Sequence, residues 1–295
     1  MESLNPAATL VSVPNVSVGA DESLVAPLAE AFLSTGEARL LGEPHFDPDH
    51  GRAVFTLAGR PGELSGALLA GVRTAAEAIT LVDHSGTHPC VGVVDVVPLV
   101  YLAPALRGAA CAEALVCADR IGSEAGVPVF LYGELAGGRS RAELRRGGAQ
   151  ELARRVAARE LGPDFGPRNL PEACGASLVA ARAPLVAFNL ELEPPAGLDQ
   201  ARAIAALIRE GGPEGLSGVR AIGLELPHRG GVAQVSVNVE DHVAVPLAAV
   251  VEAVGRHAPV ARAELVGLAP REAFRGFPET LECRGRATLE DALGF

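Results

Sequence analysis

A strand–helix–strand–strand–helix–strand order that starts twice along one chain does most to limit what this sequence can fold into. In the second half, 185–192 alternates as a strand does, and 199–209 carries apolar residues at helical spacing. Strands at 219–225 and 232–239 are joined by a turn around Arg229-Gly230-Gly231. A helix at 246–257 and a strand at 261–266 close the set. This is the split βαβ, or ferredoxin-like, order. The first half opens in the same way. It has a strand at 9–13, a helix at 21–32 after an Asp21 cap, and strands at 38–41 and 53–57 around a polar loop at 43–51. A helix at 61–82, with Pro61 near its first turn, and a valine-rich strand at 91–101 follow. A helix at 108–125, a strand at 127–132 and an arginine-rich helical region at 139–160 extend it.

A sheet of this kind covers one face with its helices, and its other face must be buried elsewhere. Stacking two such sheets face to face, helices outside, is one solution. The expected fold class is therefore α/β (α+β), with two ferredoxin-like split βαβ subdomains at 1–181 and 182–275. A weakly structured tail is expected at 276–295. Strand ends and domain seams are common places for ligand sites. The chain has 295 residues and is 48% apolar, which supplies a sizeable core. Its net charge of −11 argues against broad nucleic-acid binding, which needs a cationic surface, but leaves room for an arginine-lined pocket. Five scattered cysteines form no CxxC pair, so neither a disulfide framework nor a zinc knuckle is expected. No signal peptide and no apolar run long enough to span a membrane is evident. The expectation is a soluble, cytoplasmic protein.

The segment Asp83-His84-Ser85-Gly86-Thr87-His88-Pro89-Cys90-Val91-Gly92 sets two imidazoles on a backbone that cannot stay helical. Gly86 is permissive, and Pro89 lacks an N–H and pushes His88 out of the helical region. Histidine on a loop suits proton transfer near neutral pH; the other reading is an ordinary helix C-terminus. His84 and His88 lack the intervening Glu of a zinc helix, and spacing supplies no third ligand, so no metal is expected. The turn Asp47-Pro48-Asp49-His50-Gly51-Arg52 offers Arg52 to a carboxylate, or is a turn and no more. The constrained segment 163–176 is either a linker or a rigid loop for a flat polar ring. Arg139, Arg141, Arg145, Arg146, Arg154, Arg155 and Arg159 are either a solvated helix face or an attractor for a polyanionic tail.

Taken in order, these segments resemble the formiminotransferase family, the glutamate formimidoyltransferases of histidine breakdown. The stretches that carry the resemblance are Val13-Pro14-Asn15-Val16-Ser17, 47–52, His84-Ser85-Gly86-Thr87-His88-Pro89, 126–134 and Pro163-Asp164-Phe165-Gly166-Pro167. They continue through Ala187-Phe188-Asn189-Leu190, 219–223, 233–238 and Leu265-Val266-Gly267-Leu268. The resemblance implies two stacked α/β subdomains with a folate tunnel between them. It implies transfer of a formimino group from N-formimino-L-glutamate to the co-substrate tetrahydrofolate, with no metal, and suggests a homodimer. It also implies a chain without the helical cyclodeaminase domain that some members carry. The family's catalytic histidine, directly before Pro in H-x-G-E-H-P-R, carries over to His88. His45 stands where the family has an Asp that assists it. Arg52 and Asn15 fall at substrate-binding positions. The family's folate segment carries over to Gly166, Pro167, Arg168, Asn169, Leu170, Pro171, Glu172, Ala173, Cys174 and Gly175. The chain departs at His45, at Gly51 (Asn in the family), at Thr87 (Glu), at Cys90 (Arg) and at Val18 in the opening Ser-Glu-Gly motif. Two alternatives stay open: a folate-binding or structural paralogue without activity, or a transferase for another one-carbon group such as formyl.

Overall fold

The computed structural model describes residues 4–82, 84 and 86–295. Asp83 and Ser85 of the histidine-bearing loop lie outside the described residues. The chain divides into two compact units, Leu4–Ala183 and Pro184–Phe295. No helix among the described residues is long and apolar enough to cross a membrane.

The N-terminal unit opens with β1 (Leu10–Ser12) and β2 (Asn15–Val16), two halves of one rail broken at Val13-Pro14. Asp21 caps the next turn by accepting the Ser23 N–H at 3.0 Å, and α1 (Val25–Leu33) follows. Strands β3 (Arg39–Leu40), β4 (His45–Asp47), β5 (Arg52–Val54) and β6 (Leu57–Gly59) form the next two rails. The polar stretch expected as a loop at 43–51 thus contains β4, and the strand expected at 53–57 is split between β5 and β6. Helix α2 (Leu64–Ala78) starts on a remote cap. The buried Glu113 carboxylate accepts the N–H groups of Leu64 at 3.0 Å and Ser65 at 2.8 Å, which the helix itself cannot satisfy. The helix ends at Ala78, short of residue 82, because Ile79 turns extended. Strand β7 (Val94–Tyr101) completes the four-rail set.

In this sheet β7 pairs antiparallel with β1 and β2, which pair with β6 and β5, which pair with β3 and β4. That is the ferredoxin-like order. On its free edge β7 takes on a parallel extension. Helix α3 (Arg107–Glu124), β8 (Val129–Leu131), α4 (Arg141–Arg145), α5 (Gly148–Ala157) and β9 (Ser177–Arg182) build it, with β9 between β7 and β8. Strand β9 was not anticipated from the sequence. Its Ser-Leu-Val-Ala-Ala-Arg run shows no alternation because parallel strands are buried on both faces. Val179 and Ala181 join the core under α1, α2 and α3, whereas Leu178 and Ala180 pack with Leu144 of α4 and Leu152 of α5. Helices therefore cover the second face too at this edge.

The C-terminal unit repeats the order with β10 (Val186–Leu192), α6 (Leu198–Ile208), β11 (Val219–Leu226), β12 (Val232–Val239), α7 (Leu247–Gly255) and β13 (Val260–Val266). The sheet runs β11–β12–β10–β13, and Phe188, Leu190, Val235, Val237 and Leu265 face a core closed by Ile204 and Val250. The expected tail is ordered instead. β14 (Cys283–Arg284) pairs parallel to β13, and α8 (Leu289–Leu293) buries Leu289 and Leu293. Phe277 packs edge-on against Phe188 at 6.1 Å. Few but well-spaced apolar side chains hold this segment.

Candidate active site

Two loops of the N-terminal unit interlock. In the turn between β4 and β5, Asp47 accepts the His50 N–H at 3.0 Å, and its second oxygen lies 3.3 Å from His50 Nδ1. Both side chains are fully buried. Gly51 takes φ +69°, which closes the turn and brings Arg52 onto β5. The loop after α2 settles on this turn. Thr87 donates both its N–H and its hydroxyl to the Asp49 carbonyl, each at 2.9 Å. Gly86 comes so close that a Cβ there would sit 2.6 Å from the His50 carbonyl oxygen. The outcome is an edge-on contact between the His50 and His88 rings, with centroids 6.0 Å apart.

A small pocket opens at this junction. Asn15, Val16, Ser17, His50, Gly51, Arg52, His84, His88, Cys90 and Asp95 line it. Arg145, from the end of α4, forms an ion pair with buried Asp95, which also accepts the Val91 N–H at 2.7 Å. His88 sits with Nδ1 3.0 Å from the Pro89 carbonyl oxygen. Its Nε2 has no hydrogen-bond partner among the described residues. Burial first, then the electrostatic effect of Arg52, Arg145 and His50, holds the His88 imidazole well below its ordinary 6.5, against a smaller upward pull from the Pro89 carbonyl. His88 is therefore neutral at pH 7. With Nδ1–H donating to Pro89, Nε2 is left as a base. His84 is also lowered by burial, opposed by Asp95. Burial, with Asp95 adding to it, pushes the Cys90 thiol up, so it stays protonated and is no nucleophile.

Models of the formiminotransferase domain match almost the whole chain, the N-terminal subdomain at residues 9–182 and the formiminotransferase domain at 187–277. A glutamate formimidoyltransferase of Streptococcus pyogenes serotype M1 is 32% identical over 89% of this chain and 89% of its own length. The chain belongs to the formiminotransferase family. A glutamate formimidoyltransferase of Thermoplasma acidophilum is also 32% identical, over 89% of this chain and 88% of its own. The formimidoyltransferase-cyclodeaminase of Sus scrofa is 35% identical over 89% of this chain. The chain spans about half of that relative, 50% of its length.

Of the positions expected from the formiminotransferase family, His88, Arg52 and Asn15 meet in one pocket. Asn15 donates to the Val13 carbonyl at 3.0 Å, which steadies the bend between β1 and β2. His45 is not among the residues lining that pocket. It sits on β4 two residues from Asp47, its ring nitrogen within 4.8 Å of the Asp47 carboxylate. The ring that meets His88 is that of His50. The segment 166–175 does not line the pocket either, but it is laced to the His88 loop. Leu81 donates to the Ala173 carbonyl at 2.8 Å, Val93 to Cys174 at 3.0 Å, and Ala176 to Val91 at 2.9 Å. Gly175 at φ +65° and Gly92 allow this contact, for a Cβ on Gly92 would fall 2.0 Å from the Ala176 carbonyl oxygen. Arg168, Asn169 and Glu172 are exposed on the segment's outer side. Sequence reasoning did not single out Asp47, His50, Asp95 or, as the partner of Asp95, Arg145. The one signal was Asp47 three residues before His50 in a Pro/Gly turn, the spacing at which a carboxylate caps a backbone N–H.

Proposed function

We propose that this chain is a glutamate formimidoyltransferase-like one-carbon transferase. It moves a formimino group from N-formimino-L-glutamate to tetrahydrofolate, giving 5-formiminotetrahydrofolate and L-glutamate. The observation that carries the reading is a neutral imidazole whose Nδ1 is tied to Pro89 and whose Nε2 is open, in a pocket with Arg52 and Asn15. The names and coverage of the bacterial and archaeal relatives support the same reaction. The reaction is attack of a folate amine on the amidine carbon. His88 Nε2 takes the amine proton as the new C–N bond forms. It then returns that proton to the glutamate nitrogen as the old C–N bond breaks, so one imidazole serves both steps without net gain or loss of protons. Arg52 holds a glutamate carboxylate and Asn15 orients the donor. The exposed stretch 166–173 takes the pterin-bearing substrate, and its lacing to the His88 loop fixes the two substrates relative to each other. Asp47 holds His50, and His50 sets the orientation of the His88 ring; His45 acts on His88 through this pair. Five free cysteines suit a reducing compartment, and we assign the cytoplasm.

The test is transfer from N-formimino-L-glutamate to tetrahydrofolate by the purified protein and by His88→Ala. Loss of about 100- to 10,000-fold in kcat at unchanged fold is expected. Stabilisation by tetrahydrofolate without any turnover identifies a binding paralogue instead, the reading that Thr87, Cys90 and Gly51 favour.

A further inference from the structure

The seven arginines between 139 and 159 divide sharply in the structure. Arg139 pairs with Asp164 and donates to the Leu131 carbonyl. Arg154 pairs with Glu151 and Glu160, Arg155 donates to the Glu143 carbonyl at 2.9 Å, and Arg145 pairs with Asp95. Arg146 and Arg159 are exposed. Arg141 alone is partly buried with no ion pair or hydrogen bond among the described residues. Its guanidinium lies over the Tyr132 ring, 5.7 Å from the centroid. Tyr132 is 6% exposed, and its buried hydroxyl has no hydrogen-bond partner among the described residues. A buried hydroxyl left unpartnered is costly, and the half-buried guanidinium stacked on the same ring keeps its donors free. An unpartnered hydroxyl beneath a guanidinium with free donors points to one acceptor that both can meet. Arg141 and Arg145 stand one turn apart on α4, and Arg145 reaches Asp95 in the His88 pocket.

We propose that Arg141 and the Tyr132 hydroxyl form a subsite for the carboxylate of a glutamyl group. The identity of the ligand rests on the transfer reading above. One carboxylate accepts an N–H from Arg141 and the O–H of Tyr132. Burial first, then the nearby Arg145 and Arg182, pull the Arg141 guanidinium below its ordinary value, against upward pulls from Tyr132 and Asp95. N-Formimino-L-glutamate has two carboxylates; Arg52 meets one and this subsite meets the other. The glutamyl tail of the folate substrate is the second source of the same group.

The experiment varies the two substrates separately in wild type, Arg141→Met, Arg141→Lys and Tyr132→Phe, with Arg154→Met as the control. Arg141→Met raises one KM by about 10- to 100-fold while kcat holds, and Arg141→Lys recovers part of the loss. Tyr132→Phe raises the same KM by about 3- to 10-fold. A rise for N-formimino-L-glutamate assigns the subsite to the donor; a rise for tetrahydrofolate assigns it to the acceptor's tail. Unchanged KM for both substrates in Arg141→Met and Tyr132→Phe, at wild-type melting temperature, overturns the proposal. Should Arg141→Met fail to fold, Tyr132→Phe decides alone. Calorimetric titration with L-glutamate and with tetrahydrofolate separates this idea from the reaction. If the wild type binds either without turnover and Arg141→Met loses that binding, the subsite stands and the transfer reading falls. If the wild type binds neither, the subsite is wrong.

Discussion

The hydrogen bond between His88 Nδ1 and the Pro89 carbonyl selects one tautomer, and that choice decides which nitrogen can do chemistry. The charges around the ring then decide when. Arg52, Arg145 and His50 all disfavour the imidazolium, and Asp95 is occupied by Arg145. Removing His50, which sits against buried Asp47 and disfavours the His88 imidazolium, raises the His88 pKa toward 6.5. Activity needs neutral His88, so the acid limb of kcat/KM moves to higher pH in His50→Asn and, in the same direction, in Asp47→Asn. An acid limb that stays put in both variants removes His50 from the account. The same shift links to stability. Between the lowered native pKa and 6.5, the unfolded chain binds a proton that the folded chain does not. Stability therefore rises with pH across that window and falls as pH drops below about 6.5. Chemical denaturation at pH 7.5 and 5.5 is predicted to show this loss in the wild type and a smaller loss in His88→Gln. The loop that carries His88 was legible in the sequence, because Gly86 and Pro89 keep the backbone there from staying helical. Its partner His50 was not, since burial and ring contact depend on how two distant turns meet.

That meeting is a property of elements. The turn between β4 and β5 and the loop after α2 approach backbone to backbone, and only a residue without a Cβ fits at position 86. Gly86→Ala forces them apart. It is expected to cost about 1 to 3 kcal/mol, as overpacking does, and to lower kcat/KM by misplacing His88. A melting temperature and rate equal to the wild type would show that the two loops are not locked as described. At the other end of the chain, β14 and α8 lie where the composition suggested a loose tail. Leu293 is fully buried, so Leu293→Ala is expected to cost about 2 to 5 kcal/mol in urea unfolding, where a loose tail would register nothing. Legibility followed local signals here. Strands with alternating faces, such as β10 and β12, were read within a residue or two. Strand β9, apolar on both faces and rich in alanine, carries neither alternation nor strand propensity and passed unseen. The bent rail of β5–β6 reads as a single strand because a bend at Thr56 changes pairing without interrupting the apolar run, whereas β2 was missed because Pro14-Asn15 ends the apolar run of β1.

Across the whole molecule, each unit carries its own core, and each repeats the split βαβ order. The repeat was legible because it rests on the order of elements, which survives errors of a few residues at their ends. In the parallel extension of the first sheet the helices and β8 were legible and β9 was not; this extension supplies Arg145, which pairs with Asp95 of the pocket lining, and Arg141 one turn away. Every chemical statement above depends on the first unit placing a neutral His88 where two small molecules can react. The most direct measurement is the pH profile of formimino transfer from N-formimino-L-glutamate to tetrahydrofolate, wild type beside His88→Ala. The account predicts turnover with an acid limb below pH 6.5 in the wild type and a loss of about 100-fold or more in the variant. Equal turnover in the two proteins, or an acid limb well above that value, would contradict it.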